Sequence, residues 1–161
     1  MAKVTVNRKI KAPLKEVWAS WDDFGNIYKF NPALKHSKLL EAGTANTGLG
    51  TQRHCDLVDG KNWVQEEIIE YQPEEKIKLV IFNSTMPLKT AVATIEFRKN
   101  GAKETEINFT MEFSPKFGLL GQMMVPLMKP QFKKMISGMI DGNDRFVTQG
   151  ILANPEIAQA A

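Results

Sequence analysis

The sequence predicts an α+β fold in which a seven-stranded antiparallel sheet wraps against one long C-terminal helix. Three observations lead to this prediction. A strand-like segment opens the chain, and two short helices follow it. Six more strand-like segments come next, joined by turns, and a long helical segment rich in methionine follows them. Runs of strands that precede a helix are typical of α+β domains, so we expect the sheet to pack one face against the helix.

The composition places the chain among ordinary globular proteins. Its 161 residues are 43% hydrophobic and 24% charged, which suffices for one domain with a substantial core. A net charge of +3 is too small to predict nucleic-acid binding. No segment reaches the roughly 18 apolar residues of a membrane span, and no signal-peptide core follows Met1, so we expect a cytoplasmic protein. We expect one domain over residues 1–153 and a flexible tail over 154–161.

The first elements follow from alternation and from proline. Val4 and Val6 alternate with polar residues, which indicates a half-buried strand. Pro13 opens a helix, because its missing N–H is not needed in the first turn. A second short helix is predicted around residues 27–30, and a short strand over 37–42.

Five further strands are predicted from the alternation of apolar and polar residues. They cover about residues 51–58, 61–71, 77–81, 91–97 and 106–113. Loops are expected at residues 43–50 and at residues 83–89, the second of which contains Pro87.

The turn residues also predict how the strands pair. Asp59-Gly60 is typical of a two-residue hairpin turn, which would place Arg53 opposite Glu66 and Cys55 opposite Val64 on one face of the sheet. The last hairpin needs a loop of odd length at Asn100-Gly101. Only then do apolar residues such as Ile95 and Phe109 share a face, so we predict a three-residue or bulged turn there.

The final segment has helical spacing. Its apolar residues, including Leu120, Met124, Leu127, Met128, Met135 and Met139, recur at steps of three and four. Pro126 and Pro130 lack the N–H of a helix interior, so the main helix either begins near them or is kinked there. The segment 141–143 contains a glycine and is expected to be a weak point.

Arg53 and Glu66 are the clearest candidate site. A charged pair is tolerated at a buried position when it is hydrogen-bonded, whereas a single buried charge is costly. The pair is either a structural cross-strand salt bridge or a contact that orients a polar group of a ligand, and Glu66 is also a candidate general base. Tyr28 is a second candidate for moving a proton.

The other candidate ligand contacts are mostly apolar residues that should face the space between sheet and helix. Apolar contacts are expected from Val64, Ile81, Phe109, Met111, Met124, Met128 and Met135, and polar contacts from Arg53, Glu66, Tyr28 and Asn83. The methionines suit a pliable cavity wall, because thioethers adapt to varied apolar surfaces. The ligand would enter at residues 43–50, 83–89 or 117–126.

No metal and no cofactor is expected. His54 should point away from the Arg53 face, and His36 lies far from it in sequence, so the two do not form a metal site. Cys55 has no evident base beside it and is expected to be a small buried hydrophobe. The glycine-containing loop at 43–50 lacks the Lys-Ser/Thr ending of a phosphate-binding loop.

Several short motifs occur in a distinctive order. They are Ile10-x-Ala12-Pro13-x-x-x-Val17-Trp18, Asp22-Asp23-Phe24 with Pro32 beyond, Gly48-x-Gly50-x-x-Arg53, Asp59-Gly60, Glu66, Met86-Pro87 and Phe113-Ser114-Pro115. This order resembles the START/birch-allergen-like (SRPBCC) superfamily, and within it the polyketide cyclase/dehydrase-type branch. The branch often has tryptophan near the position where this chain has Phe30, so the chain departs from the family pattern there.

The resemblance implies a helix-grip fold with a hydrophobic cavity between sheet and helix. Members of the superfamily bind lipids, sterols, polyketides, quinones or plant metabolites, and a minority are enzymes. The leading hypothesis is therefore a protein that binds a small hydrophobic molecule. One alternative is a cyclase or dehydratase in which Glu66 or Tyr28 moves a proton. Another is an accessory protein at a partner or membrane surface, with Lys129, Lys133 and Lys134 as the basic group. The sequence does not predict an oligomeric state.

Overall fold

The computed structural model describes residues 1–41 and 46–156, and it confirms the predicted fold class. The strands are β1 (Ala2–Ile10), β2 (Leu34–Leu39), β3 (Gln52–Leu57), β4 (Trp63–Gln72), β5 (Lys76–Ser84), β6 (Leu88–Lys99) and β7 (Thr105–Pro115). The helices are α1 (Leu14–Asp22), a short 3₁₀ helix (Phe24–Lys29) and α2 (Gly118–Gln149). The strands form one sheet in the order β1, β7, β6, β5, β4, β3, β2, and every neighbouring pair is antiparallel.

The core lies between the concave face of this sheet and the helices. Strand β7 alternates strictly between buried and partly exposed residues, as expected for a strand with one face on the core. The ring of Phe113 on β7 lies 4.6 Å from that of Phe132 on α2. At the other end, Trp21 of α1 packs its ring 5.9 Å from Phe97 of β6. The two helices therefore close opposite ends of one apolar core.

The predicted strand registers are confirmed. Arg53 pairs with Glu66, and Cys55 pairs with Val64. In the last hairpin Ile95 pairs with Phe109, and the N–H of Asn100 donates to the carbonyl of Glu104. The loop between those two residues has three residues, which is the odd length that the apolar pattern requires.

The turn between β3 and β4 is longer than predicted. The N–H of Leu57 donates to the carbonyl of Asn62, so the loop comprises the four residues 58–61. The Asp59 carboxylate accepts from the N–H groups of Lys61 and Asn62 at 2.9 and 2.8 Å, which stabilises this wider turn. A four-residue loop and a two-residue loop that are both centred on the Asp59–Gly60 bond give the same register. The predicted pairing is therefore correct although the predicted loop length is not.

Two boundary predictions were wrong. Strand β2 begins at Leu34, three residues earlier than predicted, and ends at Leu39. It is anchored by the Ser37 hydroxyl, which donates to the carbonyl of Gly25 at 2.7 Å. The loop predicted at 83–89 is only residues 85–87, because β5 continues to Ser84 and β6 begins at Leu88. The predicted loop at 43–50 lies partly outside the described residues.

Helix α2 continues through both prolines and through the predicted weak point. It begins at Gly118, well before Pro126 and Pro130. Gly142 lies where α2 crosses the end of the 3₁₀ helix, and a Cβ at this position would be 2.1 Å from the carbonyl oxygen of Phe30. Glycine is therefore needed for close packing at this crossing. Beyond the helix, the Asn154 side chain donates to the carbonyls of Pro32 and Leu34.

Candidate functional site

A cavity of about 100 Å³ lies between the sheet and α2. Its wall is mostly apolar, and its polar groups come chiefly from the β3–β4 hairpin. The lining residues include Trp21, Phe24, Ile27, Asn31, Leu34, Arg53, Cys55, Val64, Glu66, Ile77, Leu79, Ile81, Met86, Ile95, Phe109, Met111, Phe132, Met135, Ile136 and Met139. An apolar chamber with a few convergent polar groups is the usual form of a small-molecule site.

Arg53 is buried in this wall, with 4% of its surface exposed. Its Nε donates to Oε2 of Glu66 at 2.6 Å, and its Nη1 donates to the carbonyl of Phe24 at 3.0 Å. The guanidinium also lies 3.9 Å from the centre of the Phe24 ring, a cation–π contact. The 3₁₀ helix and the hairpin together hold the cation in one orientation.

Glu66 lies on the neighbouring strand β4, and its carboxylate accepts a second, weaker hydrogen bond in addition to the one from Arg53. The Cys55 thiol lies 3.7 Å from its Oε2 and donates to it. Burial raises the pKa of the Cys55 thiol above its ordinary value, so this thiol is neutral over the physiological range. The three side chains form a cluster in which the thiol acts as a donor and not as a nucleophile.

Two polar atoms of this cluster remain available to a ligand. Nη2 of Arg53 and Oε1 of Glu66 hydrogen-bond to no other residue among residues 1–41 and 46–156. Each belongs to a group already fixed by the 2.6 Å bond between the two side chains. The charged pair, which lines the cavity, therefore keeps unused N–H donors on the guanidinium and an unused acceptor oxygen on the carboxylate.

Seven of the predicted site residues line this cavity together. Five of them are the apolar residues Val64, Ile81, Phe109, Met111 and Met135, and the other two are the charged pair on the hairpin. They come from strands β3, β4, β5 and β7 and from α2. The alternation of each strand was sufficient to indicate which residues face inward.

Four predicted contacts do not line the cavity. The Tyr28 ring packs 4.9 Å from the ring of His36, at the outer side of the 3₁₀ helix. Asn83 is exposed near the end of β5, and its amide donates to Gln65. Met124 is 48% exposed, because this part of α2 turns that side chain away from the core. Met128 is half-buried and packs against the core without reaching the chamber.

Two polar groups of the cavity lining, on Trp21 and Asn31, were not among the predicted polar contacts. The indole Nε1 of Trp21 is buried and has no hydrogen-bond partner among the described residues. Asn31 lines the cavity too, and its side chain contacts the sulfur of Met139 at 3.3 Å and the N–H of Ala33 at 3.0 Å. Because Asn31 precedes a proline, the sequence indicated a helix end at this position. It did not indicate that the Asn31 side chain points inward.

His54 points away from the charged pair, as predicted, whereas His36 lies on strand β2 opposite Asp56 and not in a loop. His54 points to the other face of β3, where Nε2 lies 3.0 Å from the Asp56 carboxylate and the ring stacks on Trp63. Across residues 1–41 and 46–156 we find no group of three His, Cys, Asp or Glu side chains placed to hold a metal ion. No helix in the same part of the chain is long and apolar enough to cross a membrane.

Solved structures share this architecture. The protein XoxI from Bacillus cereus is 18% identical, with a TM-score of 0.74 over 92% of this chain and 97% of its own. A START superfamily protein from Mycobacterium smegmatis is 14% identical, with a TM-score of 0.73 over 91% and 99%. Truncated norcoclaurine synthase from Thalictrum flavum is 16% identical, with a TM-score of 0.68 over 92% and 94%. At such identities the similarity establishes a shared fold alone.

The sequence itself gives the family. No curated protein matches the chain significantly. The family described as polyketide cyclase/dehydrase and lipid transport matches residues 1–147. This match covers all seven strands and nearly all of α2. The chain therefore belongs to the polyketide cyclase/dehydrase and lipid transport family, and its curled sheet around the long helix is the fold of the solved structures above.

Proposed function

We propose that this protein binds a small, mostly apolar molecule that carries a hydroxyl group, and that Arg53 and Glu66 orient this hydroxyl. The observation that carries the proposal is the pair of free polar atoms in the cavity wall. A hydroxyl accepts from Nη2 of Arg53 and donates to Oε1 of Glu66 at the same time. A ligand carbonyl would use only the donor, and a ligand carboxylate would be repelled by Glu66.

The charge of the cavity supports a neutral ligand. The guanidinium and the carboxylate neutralise each other at 2.6 Å, and the Cys55 thiol is uncharged. A charged ligand would therefore lose its hydration without gaining a net opposite charge. The rest of the wall offers apolar contact, which favours a ring or a short hydrocarbon chain.

The size of the cavity sets an upper limit on the ligand unless the wall moves. A volume of about 100 Å³ is below the roughly 300–1,000 Å³ of sites for drug-sized molecules. An apolar cavity of about 150 Å³ is known to take benzene. The cavity is smaller than that benzene site, so even a single ring requires some displacement of a flexible side chain such as Met135 or Met86, and a longer ligand requires more.

The first test is native mass spectrometry of the protein purified from its own host, followed by organic extraction of any bound molecule. A stoichiometric apolar compound with a hydroxyl group supports the proposal. A bound compound that lacks any hydroxyl contradicts it.

The second test uses defined probes. Binding of p-cresol and of toluene is measured by calorimetry on the wild type, on Glu66→Gln and on Glu67→Gln. Glu67 is the matched control, because it lies next to Glu66 in sequence but contacts Gln52 on the other face. Glu66→Gln should weaken p-cresol about tenfold, since the hydrogen bond loses its charge, and should leave toluene unchanged. Equal weakening of both probes, or no binding of either probe, would contradict the proposal.

A further inference from the structure

The N-terminal part of α2 carries large apolar side chains that face solvent. Phe117 is 73% exposed, Leu119 87%, Leu120 73%, Met123 76% and Leu127 67%. These five residues are called the exposed stripe below. Single exposed apolar residues are ordinary on a protein surface, but a contiguous group of this kind usually marks an interaction site.

The exposed stripe is not the face by which α2 packs on the sheet. The buried residues Phe132, Ile136 and Ile140 follow one another at four-residue steps and define the core-facing side. Leu119, Leu120 and Met123 lie on a different side of the helix, since a helix repeats every 3.6 residues. The exposed stripe is therefore available to a partner without any change in the core.

The charged residues in the stretch of sequence that carries the exposed stripe are all of one sign. Between Glu112 and Asp141 the chain has lysines at 116, 129, 133 and 134 and no acidic residue. All four lysines are exposed, and none forms an ion pair with a residue in the part of the chain that the structure describes. An apolar stripe beside unpaired lysines is the pattern of a helix that lies in the interface of an anionic membrane.

We propose that the exposed stripe docks this protein onto the surface of an anionic lipid bilayer. The apolar side chains enter the boundary between headgroups and acyl chains, and Lys129, Lys133 and Lys134 meet the lipid phosphates. A second copy of this chain fits the surface less well. A twofold contact would bring the same four lysines of each copy together, and the stretch between Glu112 and Asp141 has no acidic residue to neutralise them.

The docking surface lies next to the cavity. Met135 lines the cavity, is 36% exposed, and follows Lys134 directly on α2. A bilayer under the exposed stripe therefore places lipid close to a point where the cavity wall reaches the surface. This inference concerns a surface separate from the charged pair, so it stands or falls independently of the hydroxyl specificity.

The test is co-sedimentation with phosphatidylcholine vesicles, with and without phosphatidylglycerol. The full-length wild type should sediment with the vesicles that contain phosphatidylglycerol and remain in solution with phosphatidylcholine alone. Both Leu119→Ser/Leu120→Ser/Met123→Ser and Lys129→Gln/Lys133→Gln/Lys134→Gln should weaken this binding about tenfold or more.

Matched controls change the same kinds of residue elsewhere. Ile69→Ser removes an exposed apolar side chain from β4, and Lys99→Gln/Lys103→Gln removes two exposed lysines at the β6–β7 turn. Both controls should bind vesicles like the wild type. Circular dichroism of each variant shows that the fold is retained, as expected for changes at exposed positions.

Several outcomes would overturn the proposal. One is a wild type that binds no vesicles, or that binds both lipid compositions equally. Another is a triple serine variant that binds as well as the wild type. A third is a wild-type dimer by light scattering that becomes a monomer in the triple serine variant while vesicle binding is absent. That last result would assign the exposed stripe to a second copy of the chain.

Discussion

Replacing Arg53 with methionine removes the cation from the cavity wall and leaves the Glu66 carboxylate among apolar neighbours. The Glu66 side chain is only 12% exposed, so water does not replace the lost partner fully. Removing one partner of a buried ion pair costs about 3–5 kcal/mol. Loss of the bond from Nη1 to the Phe24 carbonyl adds about 1 kcal/mol. We expect the free energy of unfolding to fall by about 4–6 kcal/mol, a large part of the total for a domain of this size.

The double variant Arg53→Met/Glu66→Leu separates stability from function. With both charges replaced by apolar side chains, the free energy of unfolding should return to within about 1 kcal/mol of the wild type. Urea unfolding followed by circular dichroism measures the double variant and the two single variants, Arg53→Met and Glu66→Leu. If the double variant is as unstable as the sum of the two single changes, the pair is a stabilising element and the reasoning that assigns it to a ligand is refuted. Full stability with lost p-cresol binding supports the assignment.

Three further predictions concern the surroundings of the site. Gly142→Ala should lower the free energy of unfolding by about 1–3 kcal/mol in urea unfolding, because the added Cβ would lie 2.1 Å from the Phe30 carbonyl oxygen. Ser37→Ala should cost about 1–3 kcal/mol in the same assay, since it leaves the buried Gly25 carbonyl without its 2.7 Å hydrogen bond. Cys55 should not react with dithiodipyridine at neutral pH until the protein is unfolded, because its raised pKa and its burial keep it a protected thiol.

Each of these predictions has a control or a contrary outcome. Gly138→Ala is the control for the helix crossing, since its Cβ would lie at an ordinary 3.6 Å from Pro32, and it should stabilise α2 by up to about 1 kcal/mol. Thr148→Ala, at an exposed hydroxyl that also donates to a carbonyl, is the control for Ser37→Ala and should cost less. Rapid labelling of Cys55 in the native protein would show that the cavity admits the reagent.

The pH dependence of stability follows from the same thiol. Its folded pKa is raised, so the folded state keeps the proton while the unfolded thiol ionises. The contribution of the Cys55 thiol to the free energy of unfolding is fully present below the ordinary thiol pKa. It declines as the pH rises above that value. Cys55→Ala should remove that alkaline decline in a series of urea titrations. An unchanged slope in the variant would assign the decline to other groups.

The parts of the fold that follow from period-two alternation could be predicted. Each strand's inward residues were fixed by its pattern, and the requirement that Ile95 share a face with Phe109 gave the loop length correctly. The pairing of Arg53 with Glu66 was also correct, because register depends on the centre of the turn and not on its length.

The core-facing residues of α2 could be predicted only in part. Met124 and Leu127 follow the same three- and four-residue steps as true core residues, yet they are exposed. Spacing groups residues on one face of a helix, but it does not tell which face the sheet covers or how far along the helix the sheet covers it. Asn83 was misplaced for another reason. A register shift in the β4–β5 pair leaves Phe82 as an extra residue, so Asn83 pairs with Gln65 on the outer face and not on the cavity face. The apolar residues that the sheet contributes to the cavity were thus predictable, whereas the part of α2 that lines the cavity was not.

The charged pair lies within a single hairpin, with its two members thirteen residues apart in sequence. The residues that shape the apolar chamber, by contrast, are distributed over most of the sheet and over α2. Exchange of one short segment between relatives would therefore change what chemistry the chamber accepts and leave its architecture intact. Substitutions within the β3–β4 hairpin alone, in evolution or by design, would therefore change ligand preference without refolding the rest of the molecule.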